Sequence, residues 1–299
     1  MTDRDKKSVA AEVREFLSTR RARITPERSG LPLYGGNRRV AGLRREEVAL
    51  LAGMSVDYYV RLERGNLAGA SDSVLESLAH ALQLDEAERT HLYDLARAAA
   101  PSGRRATVPA ARVRPTVLRL LDSMTDVPAY VRNARFDILA ANTLGRALYA
   151  PLFDSPLFAQ RGPVNSARFL FLDPASKDFW VDRDKGADDA VAFLRIETGR
   201  TPHDKALTDL IGELTAKSGD FARRWARHDV KFHRSGVKNL RHPVVGDLSL
   251  PYEAMELPAD PGLRLNFYTP EPDSPEKEAL ALLASWAGTG IVVPTAKDR

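Results

Sequence analysis

Residues 42–65 read GLRREEVALLAGMSVDYYVRLERG, two short helical patterns joined at one glycine. Val48 and Leu51 share one face of a helix near 44–52, and Tyr59 and Leu62 share one face of a second near 56–64. Ala49 is small where the two helices would cross. Gly53 can take the left-handed conformation that stops the first helix, Met54 can tuck inward, and Ser55 can cap the second. A helix that ends, turns and restarts within so few residues is a helix-turn-helix. With Val56, Tyr59 and Leu62 or Met54 partly committed inward, Asp57, Tyr58, Arg61 and Arg64 remain for the outer face of the second helix, a face that can enter a major groove.

The surrounding sequence supports an all-α unit. Val9, Val13, Phe16 and Leu17 recur at helical spacing, as do Leu75, Leu78 and Leu82, then Leu92 and Leu95. Ser73-x-x-Glu76 and Asp85-x-x-Glu88 each set an acceptor and a later acid where a helix start leaves amides unpaired. The charge is uneven: residues 1–64 carry 14 Lys/Arg against 9 Asp/Glu, whereas residues 113–299 carry 25 of each. That local excess favours a polyanionic partner, although a solvated surface would read the same way. At 100–115, APSGRRATVPAARVRP breaks the periodicity with Pro101, Gly103, Pro109 and Pro115. The expected division is therefore a helix-turn-helix domain over 1–100, a linker over 101–112, a second domain over 113–287 and a tail over 288–299.

The stretch LRREEVALLAGMSVDYYVRLERG resembles the DNA-binding core of Xre-type, lambda-repressor-like regulators over about residues 8–98, which implies a five-helix fold on double-stranded operator DNA. By that resemblance Ser55, Val56, Asp57 and Arg61 match positions that read base edges, with Tyr58 on the same outer face. Arg44, Arg45 and Arg64 match positions that touch phosphates, and Glu63 steadies the fold. One departure is that Arg44 stands where such regulators carry a capping Ser or Thr. The cap is expected to be lost, with a phosphate contact in its place.

The second part reads as α+β. In VPAYVRNARFDILAANTLGRALYA, residues 127–150, Tyr130, Phe136, Ile138 and Leu139 mark a strand, a turn and a strand, and Asn142 begins a helix carrying Leu144 and Leu148. Residues 204–228 return to helical spacing through Leu207, Leu210, Ile211, Leu214, Phe221 and Trp225. GVKNLRH, GDLSLPYEAMEL and LRLNFYTP then alternate as strands, and a last helix spans about 275–287. Two strands, a helical insertion and a meander predict one antiparallel sheet with helices on one side.

NARFDILAANTLGRALY, NSARFLFLDP, SGDFARRWARHDV and HPVVGDLSLPYEAMEL together resemble the ligand-binding domain of MmyB-like transcription regulators over about 113–287. The resemblance implies a PAS-like fold sensing a small apolar, fatty-acid-like or acyl metabolite. Tyr130, Phe136, Phe169, Phe171, Trp180, Phe193, Trp225, Phe267 and Tyr268 are the aromatics that could converge on such a ligand, though each reads first as plain core. Arg168 and Arg195 sit in the apolar stretches ARFLF and AFLRI and need a partner. A protein acid is the first expectation for both, with a ligand carboxylate the alternative, and Arg195 is counted among the candidate ligand contacts.

An enzyme finds little support. His203, His228, His233 and His242 fall in the second part, with His228 beside Asp229, yet no H-E-x-x-H, G-x-S-x-G, G-x-G-x-x-G or P-loop pattern occurs, and HPVVG reads as a turn into a strand. With no cysteine there is no disulfide, thiolate metal site or cysteine nucleophile. No cofactor is expected. The absence of a long apolar run or of an apolar core behind the charged start predicts a cytoplasmic protein that avoids the membrane. A homodimer is expected because two heads on a two-fold site gain affinity together. The competing reading keeps the DNA-binding head but makes the second domain a structural or protein-partner module without a small ligand.

Overall fold

The computed structural model describes residues 3–31, 40, 42–100, 112–159, 162–202, 204–227 and 235–288. The chain forms two compact units. One comprises Met1–Thr107, Val191–Thr208 and Arg223–Phe232; the other comprises Val108–Ala190, Asp209–Ala222 and His233–Arg299. The division by sequence at 101–112 therefore cuts the chain differently from the compact units. The expected linker (all but Arg112), the tail beyond Gly288 and the histidines His203, His228 and His233 lie outside the described residues.

The first unit opens with five helices: α1 (Asp3–Arg23), α2 (Arg45–Leu51), α3 (Val56–Glu63), α4 (Asp72–Ala81) and α5 (Glu86–Ala99). Val9, Val13, Phe16 and Leu17 of α1 meet Val48, Ala49, Tyr59, Leu62, Leu78 and Leu92 in one core. The α2–α3 turn forms as its sequence requires. Gly53 takes φ +63°, its amide donates to Leu50 O (3.1 Å), and Met54 N–H reaches back to Ala49 O (2.9 Å), so the last carbonyls of α2 are satisfied. The same geometry closes α3 at Gly65 (φ +101°), where a Cβ would fall 2.4 Å from Ala10 O; only glycine lets α1 pass so close.

Two helix starts differ in outcome. Asp85 and Glu88 cap α5 reciprocally, as expected. At α4 the cap is Ser71, whose Oγ accepts from Val74 N–H, and not Ser73. Both serines are two residues apart in the same stretch, and the earlier one takes the extended backbone that a cap requires.

The second unit carries α6 (Pro115–Ser123), β1 (Ala129–Arg132), β2 (Ile138–Ala141), α7 (Thr143–Leu148), α8 (Ala150–Phe153), α9 (Ser166–Leu172) and α10 (Ser176–Phe179). α11 (Arg183–Arg200) gives residues 183–190 to this unit and 191–200 to the first. α12 (Lys205–Lys217) and α13 (Gly219–Trp225) follow, then β3 (Ser235–His242), β4 (Gly246–Glu256), β5 (Arg264–Tyr268) and α14 (Pro275–Gly288). The single helical pattern read over 204–228 is thus two helices, because Ser218 interrupts it and its Oγ caps α13 by accepting from Phe221 N–H (3.1 Å).

The five strands form one antiparallel sheet in the order β2-β1-β5-β4-β3. One face packs Tyr130, Leu240, Leu248, Leu250, Tyr252 and Tyr268 against α7, α9, α10 and α14. The expectation of helices on one side is corrected by the other face, where Ala129, Val131 and Leu265 meet Val117 and Leu121 of α6. β1 is buried along its whole length because both its faces are covered, and a strand of this kind loses the polar alternation that would announce a one-sided sheet. Asn142 holds the beginning of this layer: its Oδ1 accepts from Ala129 and Gly145 N–H while its Nδ2 donates to Met124 and Val127 O.

Candidate functional site

In the first unit the exposed ridge is the start of α3. Ser55 caps it, accepting Tyr58 N–H at 3.2 Å, and Ser55, Val56, Asp57 and Arg61 all face solvent. Val56 was expected to lie partly inward, yet it is 45% exposed. Met54 packs against the core instead, so the first turn of α3 is left outward. Tyr58 moves the other way. It is half-buried against the core and carries the Arg61 guanidinium 4.8 Å above its ring centroid, so it supports Arg61 more than it projects.

The flanking arginines are placed as follows. Arg64 ends α3 and is exposed; Arg44 is exposed and pairs with Glu46 at 3.3 Å. The cap of α2 is half kept. An arginine side chain has no acceptor, but Arg44 N–H donates to Glu47 Oε2 at 2.6 Å, so the reciprocal half of a capping box survives. Arg45 is half exposed and its Nε donates to Glu63. Glu63 is buried and also accepts from Arg21 Nε (2.7 Å) and Tyr59 Oη (3.2 Å). Burial alone would raise the Glu63 pKa; the Arg21 and Arg45 hydrogen bonds and charges outweigh it and hold the carboxyl below its ordinary value. Burial and the Glu63 charge push the Tyr59 phenol upward.

In the second unit the sheet's aromatic face gathers only some of the expected residues. Tyr130, Phe169, Trp180 and Tyr268 come together there. The Tyr149 ring is their hub, 5.4 Å from Tyr130, 5.7 Å from Phe179 and 5.8 Å from Trp180, and its hydroxyl is hydrogen-bonded to that of Tyr268. Burial drives both phenols well above their ordinary pKa, so they stay neutral.

The others lie elsewhere. Phe171 stacks edge-on with Phe221, Phe267 turns to the opposite sheet face beside the α6 cluster, and Phe136 sits in the β1–β2 turn at φ +66° beneath the Arg132 guanidinium. Phe193, Arg195 and Trp225 belong to the first unit. There Arg195 meets Glu12 at 2.5 Å and lies 4.0 Å over the Trp225 ring; in the second unit Arg168 pairs with Glu213 at 2.8 Å. Both arginines have protein acids as partners.

Residues not anticipated from the sequence also reach the aromatic face. Lys238, Tyr149, Tyr252 and Phe179 join it, with Asp189 and Arg132 close enough to act on Lys238 and Tyr252. The signal existed for Lys238, because GVKNLRH alternates so that Lys238 shares a face with the buried Leu240.

His242 is structural. Its Nε2 is hydrogen-bonded to Ala147 O and its Nδ1 accepts from Val244 N–H, which fixes a neutral ring in the β3–β4 turn, while burial lowers its pKa. Among the described residues there is no group of three or more potential metal ligands, and no helix is long and apolar enough to cross a membrane.

The model of a helix-turn-helix domain matches residues 18–92, and that of the MmyB-like transcription regulator ligand binding domain matches residues 113–283. No curated protein matches the chain. A DNA-binding head whose ridge of polar side chains faces outward is thus followed by a ligand-binding domain built on an aromatic sheet face, and the chain belongs to the MmyB-like transcription regulators.

Proposed function

We propose that α3 reads operator DNA in the major groove and that the second domain takes a small apolar, acyl-type ligand whose binding alters operator affinity. The observation that carries the DNA reading is the ridge Ser55, Val56, Asp57 and Arg61, exposed on a helix whose two ends are fixed by glycine turns and whose base is tied to Glu63. Arg44, Arg45 and Arg64 flank it as phosphate contacts. The ligand reading draws on the family and on the aromatic face around Tyr149. Such a regulator works in the cytoplasm, where a homodimer would match a two-fold operator.

The arginines separate by what they contact. Arg61→Ala is expected to cost about 1–3 kcal/mol on operator and to relax preference at one position per half-site. Arg64→Ala or Arg44→Ala should weaken binding to operator and scrambled DNA alike and reduce the salt slope by about one unit per half-site. Titrations on both DNAs at several salt concentrations measure this. An unchanged specificity ratio for Arg61→Ala removes it from base reading.

Ligand coupling is tested on ligand-stripped full-length protein. Saturating medium- or long-chain fatty acid is expected to change operator affinity by roughly 5- to 150-fold, the span of ordinary couplings. A change within twofold rules out acyl sensing. Failure to bind any apolar molecule favours a structural or protein-partner module instead.

A further inference from the structure

A helix on a protein surface keeps one face in water, but α11 is buried on every side from Val191 to Glu197. These residues lie inside the unit that holds the helix-turn-helix, where they are tied to α1 and α5. Arg195 meets Glu12 of α1, Ile196 joins the core beside Val13 and Phe16, and Arg200 Nε reaches Asp94 of α5 at 3.4 Å. Gly199 marks the closest approach. A Cβ there would fall 2.8 Å from Cε1 of the fully buried His91, whose ring also meets Phe16 of α1 edge-on at 5.0 Å. A glycine inside a helix is less stable than alanine, and this one stands where an alanine would strike the ring.

α1 in turn holds the reading helix. Its carbonyl at Ala10 fills the space that Gly65 leaves at the end of α3, and its Arg21 donates both to Glu63 of α3 and to Leu43 O at the start of α2. Glu12, the partner of Arg195, lies between those two grips. We propose that the second half of α11 is a positioning element for DNA reading. It fixes α1 and α5, α1 fixes α3, and the ridge Ser55, Val56, Asp57 and Arg61 meets the groove at an angle set by a helix from far later in the chain. The inference rests on the reading of α3 as the helix that enters the groove, and it adds the route by which the second domain acts on that helix.

The route is the backbone of α11 itself. Its first half belongs to the second unit, where Ala187, Asp189 and Ala190 are buried and Asp189 acts electrostatically on Lys238 and Tyr252 of the aromatic face. An unbroken helix of 18 residues is a rigid element, so a shift or turn of residues 183–190 is carried on to Arg195 and Gly199. A close-packed interior does not absorb such a shift gradually, and at Gly199 the His91 ring leaves no slack.

The test uses ligand-stripped full-length protein and a DNA duplex selected from a random pool by the unaltered protein. Gly199→Ala forces α11 and α5 apart. Arg195→Met releases α1 from α11 without adding bulk at His91, and it decides the matter if Gly199→Ala does not fold. Both are expected to lower the ratio of selected to scrambled duplex affinity about fivefold or more, with scrambled affinity kept within about twofold and one cooperative urea transition retained. A helix that only filled the core would lower stability and leave that ratio unchanged; this result in every variant that folds overturns the positioning role. Ala190→Gly together with Ala192→Gly softens the helix where it changes units and tests the route. The change in affinity for the selected duplex on saturating dodecanoate should shrink to within about twofold, with dodecanoate affinity and the specificity ratio kept. An undiminished change overturns the route. If dodecanoate leaves the unaltered protein's DNA affinity unmoved, acyl sensing and the route fall together, while the positioning is still decided by Gly199→Ala and Arg195→Met. A protein that selects no sequence overturns the reading of α3 and the positioning with it.

Discussion

Arg195→Ala is expected to lower the stability of the unit that holds the DNA-binding helices by about 3–5 kcal/mol. Arg195 is fully buried; one guanidinium nitrogen meets Glu12 Oε1, another donates to Trp225 O, and the plane lies over the Trp225 ring. Truncation removes all three interactions at once and leaves the Glu12 carboxylate beside a cavity. Arg195→Met should cost less, because the side-chain volume is kept and no cavity opens, while Glu12 loses its guanidinium partner in both variants. A double-mutant cycle with Glu12→Ala, followed by urea unfolding, isolates the pair. A loss below about 1 kcal/mol for Arg195→Ala would show that the network is not a stabilising one.

The second large effect belongs to Glu63. Glu63→Ala should cost about 3 kcal/mol or more, since it strands the mostly buried Arg21 and removes the acceptor of the Tyr59 hydroxyl; Arg45, half exposed, can return to water. The pH dependence has a definite sign. Because the folded-state pKa of Glu63 is depressed, its contribution is complete above the ordinary carboxyl value of 4.5 and is lost as pH falls through the lowered folded value. Unfolding free energies of the unaltered protein and of Glu63→Gln should therefore converge as the pH falls below the ordinary carboxyl value and through the lowered folded one, and parallel curves would contradict the assignment.

Much of the DNA-binding head was legible because its determinants are local. Gly53, Ser55 and the Asp85–Glu88 pair act within a few residues of themselves, and the backbone follows them. The same locality misplaced Val56, since whether it or Met54 fills the core depends on how α2 and α3 pack. In the second domain the strands were visible in their alternation, but α6 on the far face was not, as a nine-residue helix does not state which surface it will cover. The aromatic list shows the same limit. Tyr130, Phe169, Trp180 and Tyr268 converge, whereas Phe193, Arg195 and Trp225 are carried into the other unit by segments whose periodicity only says that they are helical. Lys238 was overlooked because a lysine in a strand reads as solvated until the chain at Trp180 is seen lying across it.

The unit containing the helix-turn-helix is completed by Val191–Thr208 and Arg223–Phe232, with Ile196 inside its core and Arg195 held by Glu12. This has a consequence for the order of synthesis. A chain emerging from the ribosome from its N-terminus exposes α1 to α5 long before Ile196 and Trp225 have been made, so the head reaches its final packing only when about three quarters of the protein has been translated. Nascent fragments that stop short of that point carry the DNA-reading ridge on an unfinished core.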